Sequence, residues 1–418
     1  MRCINCGNND WENVDGYRIK PQGMSICKNC GMVSYPNRYK SIDEIRKYYK
    51  SEYRKPPTSG NFFTGQKKLN YHLAFLSEYF EEWSKKEKFV VADIGAAFGM
   101  FLAWFKSVMP NAEIFGTEWD IAYKRNAFHE YNLTLTDDLD ETKKYDLISL
   151  YKVAEHQMDF DIMLEKYINC LTDTGMIYIS VPIWFDSFYN FGPCNCDLEY
   201  YYHPDHINQW SRKIFQSILG KCGLKIIKAN YTYYDDTYLC VKDEKQTPQY
   251  ENVEEIKQKM VAIKKSYLAY SERNYKESIE SYANNPLAWR HNYELNRKQF
   301  HDLGLERIEE YLKQATAACP NSVEIISLGA ELLMRYNLYE RAIKFWKMSL
   351  DMRPGAAAYY SNLGVCFRKL YEQTNDEKYL AEARNIGRIV VRMSPEHITE
   401  ALSWVYYDNA KIKTPSEV

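Results

Sequence analysis

The run Phe89-Val-Val-Ala-Asp93-Ile-Gly95-Ala-Ala97-Phe-Gly99 limits what this chain can fold into more than any other stretch. It reads as an apolar strand closing on an acid and then a loop of small residues. The amphipathic pattern MFLAWFKSVM follows at once as a helix. Small residues let the backbone approach a ligand closely, and the free amides of a helix start favour a carboxylate or phosphate. A second strand, Ala112-Glu-Ile-Phe-Gly-Thr-Glu118, places another acid about twenty residues beyond the loop, where ribose hydroxyls are bound in nucleotide-binding α/β sheets. The nicotinamide fingerprint GxGxxG is not met, because the loop reads Gly95-x-x-x-Gly99 with Ala97 between and Asp93 before it.

Further strands are expected at Tyr145–Tyr151 and Gly175–Pro182, with a helix near 160 to 171 between them. A helix over Lys213–Cys222 then leads into a hairpin, Leu224 to Tyr234 and Thr237 to Val241, turning at Asp235-Asp236. These elements make a Rossmann-like α/β domain whose sheet ends in a hairpin. The whole chain, 418 residues at 45% hydrophobic and a formal net charge of -2, is long enough for two or three cored domains and excludes a wholesale polyanion binder. No apolar run approaches the roughly 18 residues of a membrane span, and MRCINCGNND has no apolar stretch to serve as a secretory signal, so the expectation is a cytoplasmic protein.

On these residues the segment 89 to 242 resembles a class I S-adenosylmethionine-dependent methyltransferase. ADIGAAFGMFL stands where that family has DxGxGxG, and TEWD stands where its ribose acid lies. YDLISLYKVAEHQMD is similar to a strand followed by an H-x-x-E-H-like turn, and HPDHINQWSRKIFQSILGKCGLKII to the family's late helix and strand. Two departures are Ala97 for the middle glycine and Lys152 where the related subgroup often has His. The resemblance implies that Gly95, Ala97 and Gly99 pass beside the methionine moiety and that Asp93 orients the loop or the amino group. It also implies that Glu118 accepts from the ribose diol, Trp119 packs on the adenine face, and Asp137 or Asp138 meets the adenine amino group.

Of eleven cysteines, four form Cys3-x-x-Cys6-Gly7 and Cys27-x-x-Cys30-Gly31. Two such knuckles turn four thiolates to one point, a tetrahedral set that favours structural zinc and leaves no position for catalysis. This ribbon, running into Tyr48-Tyr-Lys-Ser-Glu-Tyr53, resembles the amino-terminal segment of a methyltransferase subgroup that includes sugar C-methyltransferases. Residues 1 to 60 hold eleven Lys/Arg against six Asp/Glu, so a solvated basic face and a phosphate-contacting one both stand as readings.

Methyl transfer is an in-line displacement that needs a positioned nucleophile and, for a hydroxyl or carbon acid, a proton acceptor. His156, after one strand, and His203 and His206, after the next, lie where α/β sheets build sites and are the candidate catalytic residues. The aromatic segment from Trp184 to Phe191 and Tyr200 to Tyr202 reads as a lid over the acceptor or as a satellite core. Cys194, Cys196, His203 and His206 also stand as a weaker second metal set.

Lys242-Asp-Glu-Lys-Gln-Thr-Pro248-Gln reads as a linker. Beyond it the pattern is helical, with Pro286, Pro320 and Pro354 at the period of tetratricopeptide repeats. Gly329, Ala330, Leu333, Ala342 and Trp346 fall at packing positions of that family. The expected organisation is a zinc ribbon over 1–60, a methyltransferase domain over 61–245 and a helical repeat domain over 254–412. The expected function is methylation of a sugar, glycan-like or other small-molecule acceptor, with S-adenosylmethionine and structural zinc as cofactors and a possible protein partner on the repeats. A nucleic-acid methyltransferase and a non-catalytic scaffold are the alternatives.

Overall fold

The computed structural model describes residues 1–17, 23–51, 72, 74–183, 206–231, 235–320, 322–353 and 356–393. They form two compact units, one built from 1–51 and 75–285 and the other from 72, 74 and 286 onward.

The first unit is organised by a six-stranded sheet. Numbered in chain order after three short strands at the amino terminus, its members are β4 (Phe89–Ile94), β5 (Ala112–Thr117), β6 (Tyr145–Tyr151), β7 (Leu171–Val181), β9 (Leu224–Tyr231) and β10 (Asp236–Lys242). They lie in the order β5-β4-β6-β7-β10-β9. The first four are parallel, and β10 is antiparallel to both β7 and β9. Beyond β5, Thr136 bridges Thr117 in parallel, which carries the chain to Asp137 and Asp138. This is the Rossmann-like sheet with a reversed terminal hairpin that the sequence led us to expect.

Alternation along the central strands divides the core between two faces. Val91, Leu147, Tyr178 and Leu239 face one side, where Leu102 and Phe105 of α3 (Met100–Val108) and Trp83 of α2 (Phe80–Ser84) cover them. Ala92, Ile94, Ile148, Leu150, Ile177 and Ile179 face the other, against α5 (Phe160–Asn169) and α6 (Arg212–Lys221). Helix α4 (Ile121–Tyr131) starts at Asp120, whose carboxylate accepts from the Tyr123 amide at 3.0 Å.

The cysteine segment belongs to this core. Cys3, Ile4, Cys27, Cys30 and Met32 are buried in the same cluster as α5 and α6. Strands β1 (Trp11–Asn13), β2 (Ser25–Cys27) and β3 (Val33–Ser34) continue into β8 (Asn208–Gln209), so a strand from the later domain completes the ribbon sheet. Arg2 forks onto Asp161 with both contacts at 2.8 Å, and Lys221 Nζ donates to the Ile4 carbonyl at 2.6 Å. The stretch read as a linker is tied down as well. Asn5 donates to the Gln249 carbonyl at 2.9 Å, the Gln246 amide donates to Gly220 at 2.9 Å, and the Glu251 amide donates to Cys30 at 3.0 Å. The backbone groups of this stretch find partners on the ribbon and on α6, and the first unit runs on through α7 (Val253–Ser271) and α8 (Tyr275–Ser281).

The second unit is helical. Helices α9 (Pro286–Leu295), α10 (Arg297–Asp302) and α11 (Leu305–Ala318) precede two longer pairs. These are α12 (Val323–Arg335) with α13 (Tyr339–Met352), and α14 (Ala357–Thr374) with α15 (Glu377–Met393). Ala330, Leu333, Ala342 and Trp346 share one core with Leu363, Phe367 and Ala383 of the second pair. A Cβ at Gly329 would stand 2.9 Å from the Phe345 ring, so a small residue is required where the helices meet. No described helix is long and apolar enough to cross a membrane.

Because the thiols sit inside the sheet's own core, losing them should cost the whole unit rather than a loose arm. Cys27→Ser should reduce zinc from about one per chain to none by elemental analysis and lower the melting temperature of the unit as a whole. A zinc-free wild-type protein, purified without chelator, would contradict the assignment.

Candidate functional site

The loop after β4 is built from left-handed backbone. Gly95, Ala97 and Gly99 have φ of 66°, 48° and 74°. At Gly95 a Cβ would stand 2.9 Å from Val153, and at Gly99 one would stand 2.8 Å from Leu133, so both positions need glycine on two counts. Ala97 keeps its Cβ and bears a strain of about 1 kcal/mol for that conformation. What holds it there is Glu118. One carboxylate oxygen accepts from the Ala97 amide at 2.9 Å, and the other accepts from the Trp119 and Asp120 amides at 2.7 and 2.9 Å.

Asp93, at the end of β4, is buried, and this pushes its carboxyl up to about 7, with the charge of Glu118 adding to the effect. Burial also raises Glu118, against the pull of its three amides. Two carboxyls at neighbouring strand ends make this an acid-lined position. A cationic ligand is favoured there, and a diphosphate is opposed.

The remaining residues expected at the cofactor lie close by. Trp119 Nε1 donates to the Asp137 carbonyl at 2.9 Å, and the Arg46 guanidinium lies 5.1 Å from the centre of its ring. Asp137 is bound by Lys124 and, at 2.6 Å, by Lys50, which holds its carboxyl down at about 2. Asp138 pairs with Arg46 at 2.7 Å. Arg46 and Lys50 come from α1 (Ile42–Ser51), a helix that residue patterning did not connect to this position.

The acceptor-side candidates meet at the end of β6. Lys152 adopts a left-handed φ of 58°, and a short turn of 3-10 helix over Ala154–His156 follows. The Lys152 side chain pairs with Asp235, at the start of the hairpin strand. His156 and His206 stand edge to face with ring centres 4.9 Å apart, and Tyr49 Oη shares a 2.8 Å hydrogen bond with His156 Nδ1. His203, the aromatic segment 184–191 with 200–202, and Cys194 and Cys196 lie outside the described residues.

Sequence reasoning passed over Glu155. Its side chain is fully buried between Lys152 and the histidines, and burial pushes its carboxyl up to about 8. The letter was visible as the E of the EH pair, but nothing local announces that a glutamate will be buried.

The four cysteine sulfurs also converge, with Cys3 and Cys30 3.5 Å apart and Cys6 and Cys27 3.6 Å apart. A tetrahedral zinc tetrathiolate has sulfur–sulfur edges of about 3.8 Å, so the set fits zinc.

No family model matches the chain, and the search of curated proteins gives no match. Among solved structures, the plantazolicin methyltransferase BpumL in complex with SAH is similar at 15% identity, over 48% of this chain and 94% of that one, with a TM-score of 0.39. An S-adenosylmethionine-dependent methyltransferase from Clostridium acetobutylicum is similar at 11% identity, over 42% and 92%, with a TM-score of 0.33. The complex between the Haloferax volcanii Trm112 methyltransferase activator and a putative methyltransferase gives 15% identity, 45% and 96%, and a TM-score of 0.33.

The raised Asp93 carboxyl has a stability consequence. An acid whose value rises from 3.8 in the unfolded chain to about 7 in the fold binds more protons when folded, so its contribution worsens as pH climbs between those values and is constant above them. Asp93→Asn should therefore gain melting temperature relative to wild type across pH 4 to 7 and hold a constant difference above about 7. Thermal melts of both proteins across that range check this, and a difference independent of pH would refute it.

Proposed function

We propose that this protein is an S-adenosylmethionine-dependent methyltransferase acting on a sugar, glycan-like or other small-molecule acceptor. The observation that carries the reading is the acid pair Asp93 and Glu118 beside a left-handed glycine loop at the carboxyl ends of β4 and β5. S-adenosylmethionine supplies a methyl carbon on a cationic sulfonium, and its ammonium and sulfonium charges suit that position, whereas a dinucleotide diphosphate does not.

Glu118 retains hydrogen-bonding capacity for a ribose hydroxyl, since one of its oxygens takes two amides and the other only one. Asp93 and the Gly95–Gly99 loop would border the methionine end. Trp119 would offer its ring to adenine. Asp138, exposed and paired with Arg46, suits the adenine amino group better than Asp137, which already meets two lysines. Zinc on Cys3, Cys6, Cys27 and Cys30 would be structural. His156 and His206 would contact the acceptor, with His203 in the same stretch of chain. Tyr49 fixes the orientation of the His156 ring, which leaves Nε2 toward Glu155 at 3.8 Å.

The helical unit carries no reactive cluster among its described residues and would bind a protein partner through tetratricopeptide-like pairs. The nucleic-acid reading has less support. Arg2, Lys28, Arg46 and Lys50 of the basic segment are engaged by Asp161, Asp10, Asp138 and Asp137. A scaffold reading leaves the buried Asp93 as a stability cost with no return.

Glu118→Ala should weaken S-adenosylhomocysteine binding by about 1.5 to 3 kcal/mol, the worth of a charge-assisted hydrogen bond, and should loosen the loop it restrains. Isothermal calorimetry on both proteins measures this. Equal affinity would remove Glu118 as the ribose acid.

A further inference from the structure

The turn after β6 contains a side chain that the methyltransferase reading does not use. Glu155 has no solvent exposure, and among the described residues neither of its carboxylate oxygens has a hydrogen-bond partner. Lys152 lies near but is committed to Asp235, so the two neighbouring charges offset each other around the carboxyl. A buried carboxylate without partners is a costly feature that folds retain where something fills it.

Two imidazoles face the same spot. One ligand atom from each of Glu155, His156 and His206 lies within 4.8 Å of the others, and His156 Nε2 is 3.8 Å from the nearer Glu155 oxygen. Nδ1 of His156 is hydrogen-bonded to Tyr49 Oη at 2.8 Å, and with Nδ1–H donating to that oxygen Nε2 is the ligand atom, which is how metal-bound histidines are oriented. The backbone is held too. Asn208 donates to the Gln157 carbonyl at 2.7 Å and to Ala154 at 3.5 Å, which links the turn bearing Glu155 and His156 to the segment bearing His206.

We propose that Glu155, His156 and His206 bind a divalent transition-metal cation, distinct from the ion of the cysteine site. Two neutral imidazoles and one carboxylate are a donor set for manganese, iron or zinc, and three protein ligands leave positions open. The open positions give the acceptor its chemistry. An acceptor hydroxyl can join the ion at an open position, where the ion's charge eases loss of its proton to solvent water; its oxygen then bonds the methyl carbon as the carbon–sulfur bond of S-adenosylmethionine breaks and S-adenosylhomocysteine leaves, with the imidazoles serving as ligands throughout. The acceptor class rests on the methyltransferase reading, while the ion site does not.

The test uses the full-length protein with its cysteine-bound metal in place and Mn2+ as the probe, since thiolates discriminate against manganese. Free Mn2+ is followed by electron paramagnetic resonance as protein is added. One saturable equivalent is expected, weakened about tenfold or more in both Glu155→Gln and His206→Ala. His206 is only partly buried, so its variant keeps the test decisive if Glu155→Gln does not fold. No saturable binding to wild type, or binding unchanged in the folded variants, overturns the proposal. Calorimetry of wild type with S-adenosylhomocysteine separates the two readings. Manganese binding without nucleoside binding would sink the methyltransferase reading alone, and the reverse would sink the ion site alone.

Discussion

The carboxylate of Glu118 holds three backbone amides, and the geometry of the candidate site depends on it. Ala97 reaches a left-handed conformation unfavourable for a residue with a Cβ, and the hydrogen bond from its amide to Glu118 offsets that cost. The same carboxylate bonds the amides that turn the chain from β5 into α4. One side chain thereby fixes the ends of two adjacent strands against each other, with the buried Asp93 alongside. Removing Glu118 would free the loop and also relieve the electrostatic pressure on Asp93.

The cysteine segment contributes to the site by position rather than chemistry. Its thiols lie in the core under α5 and α6, and its sheet is completed by β8, which begins at Asn208, two residues after His206, and whose Gln209 side chain donates to the His206 carbonyl at 2.7 Å. From the ribbon the chain passes into α1, which delivers Arg46 to Trp119 and Asp138, Lys50 to Asp137, and Tyr49 to His156. A structural ion on the cysteines would therefore hold the helix that borders both ends of the site.

Much of this was legible in the sequence, and the limits have physical causes. The strand, loop and helix from Phe89 to Val108 follow from local periodicity, because strand alternation and loop glycines are properties of neighbouring residues. His156 fell at a strand end for the same reason. Tyr49 and His156 are 107 residues apart, and no local pattern reports that contact. Burial of Glu155 is equally non-local: exposed turns and buried ones are written with the same residue types. The polar run after β10 looked like a linker because composition cannot tell backbone groups bonded to water from ones bonded to Asn5, Ser217 or Cys30. Asp137 is expected near the adenine only from the resemblance, and nothing local shows that the lysines engaging it come from two separate helices.

The central claim is that the loop restrained by Glu118 is a nucleoside site for a methyl donor. A crystal structure of the full-length protein grown with S-adenosylhomocysteine tests it most directly. The account predicts the ribose diol on the Glu118 carboxylate, the amino-acid end beside Asp93 and the Gly95–Gly99 loop, and adenine against Trp119. A ligand bound elsewhere on the chain, or no ligand density at millimolar concentration, would contradict it.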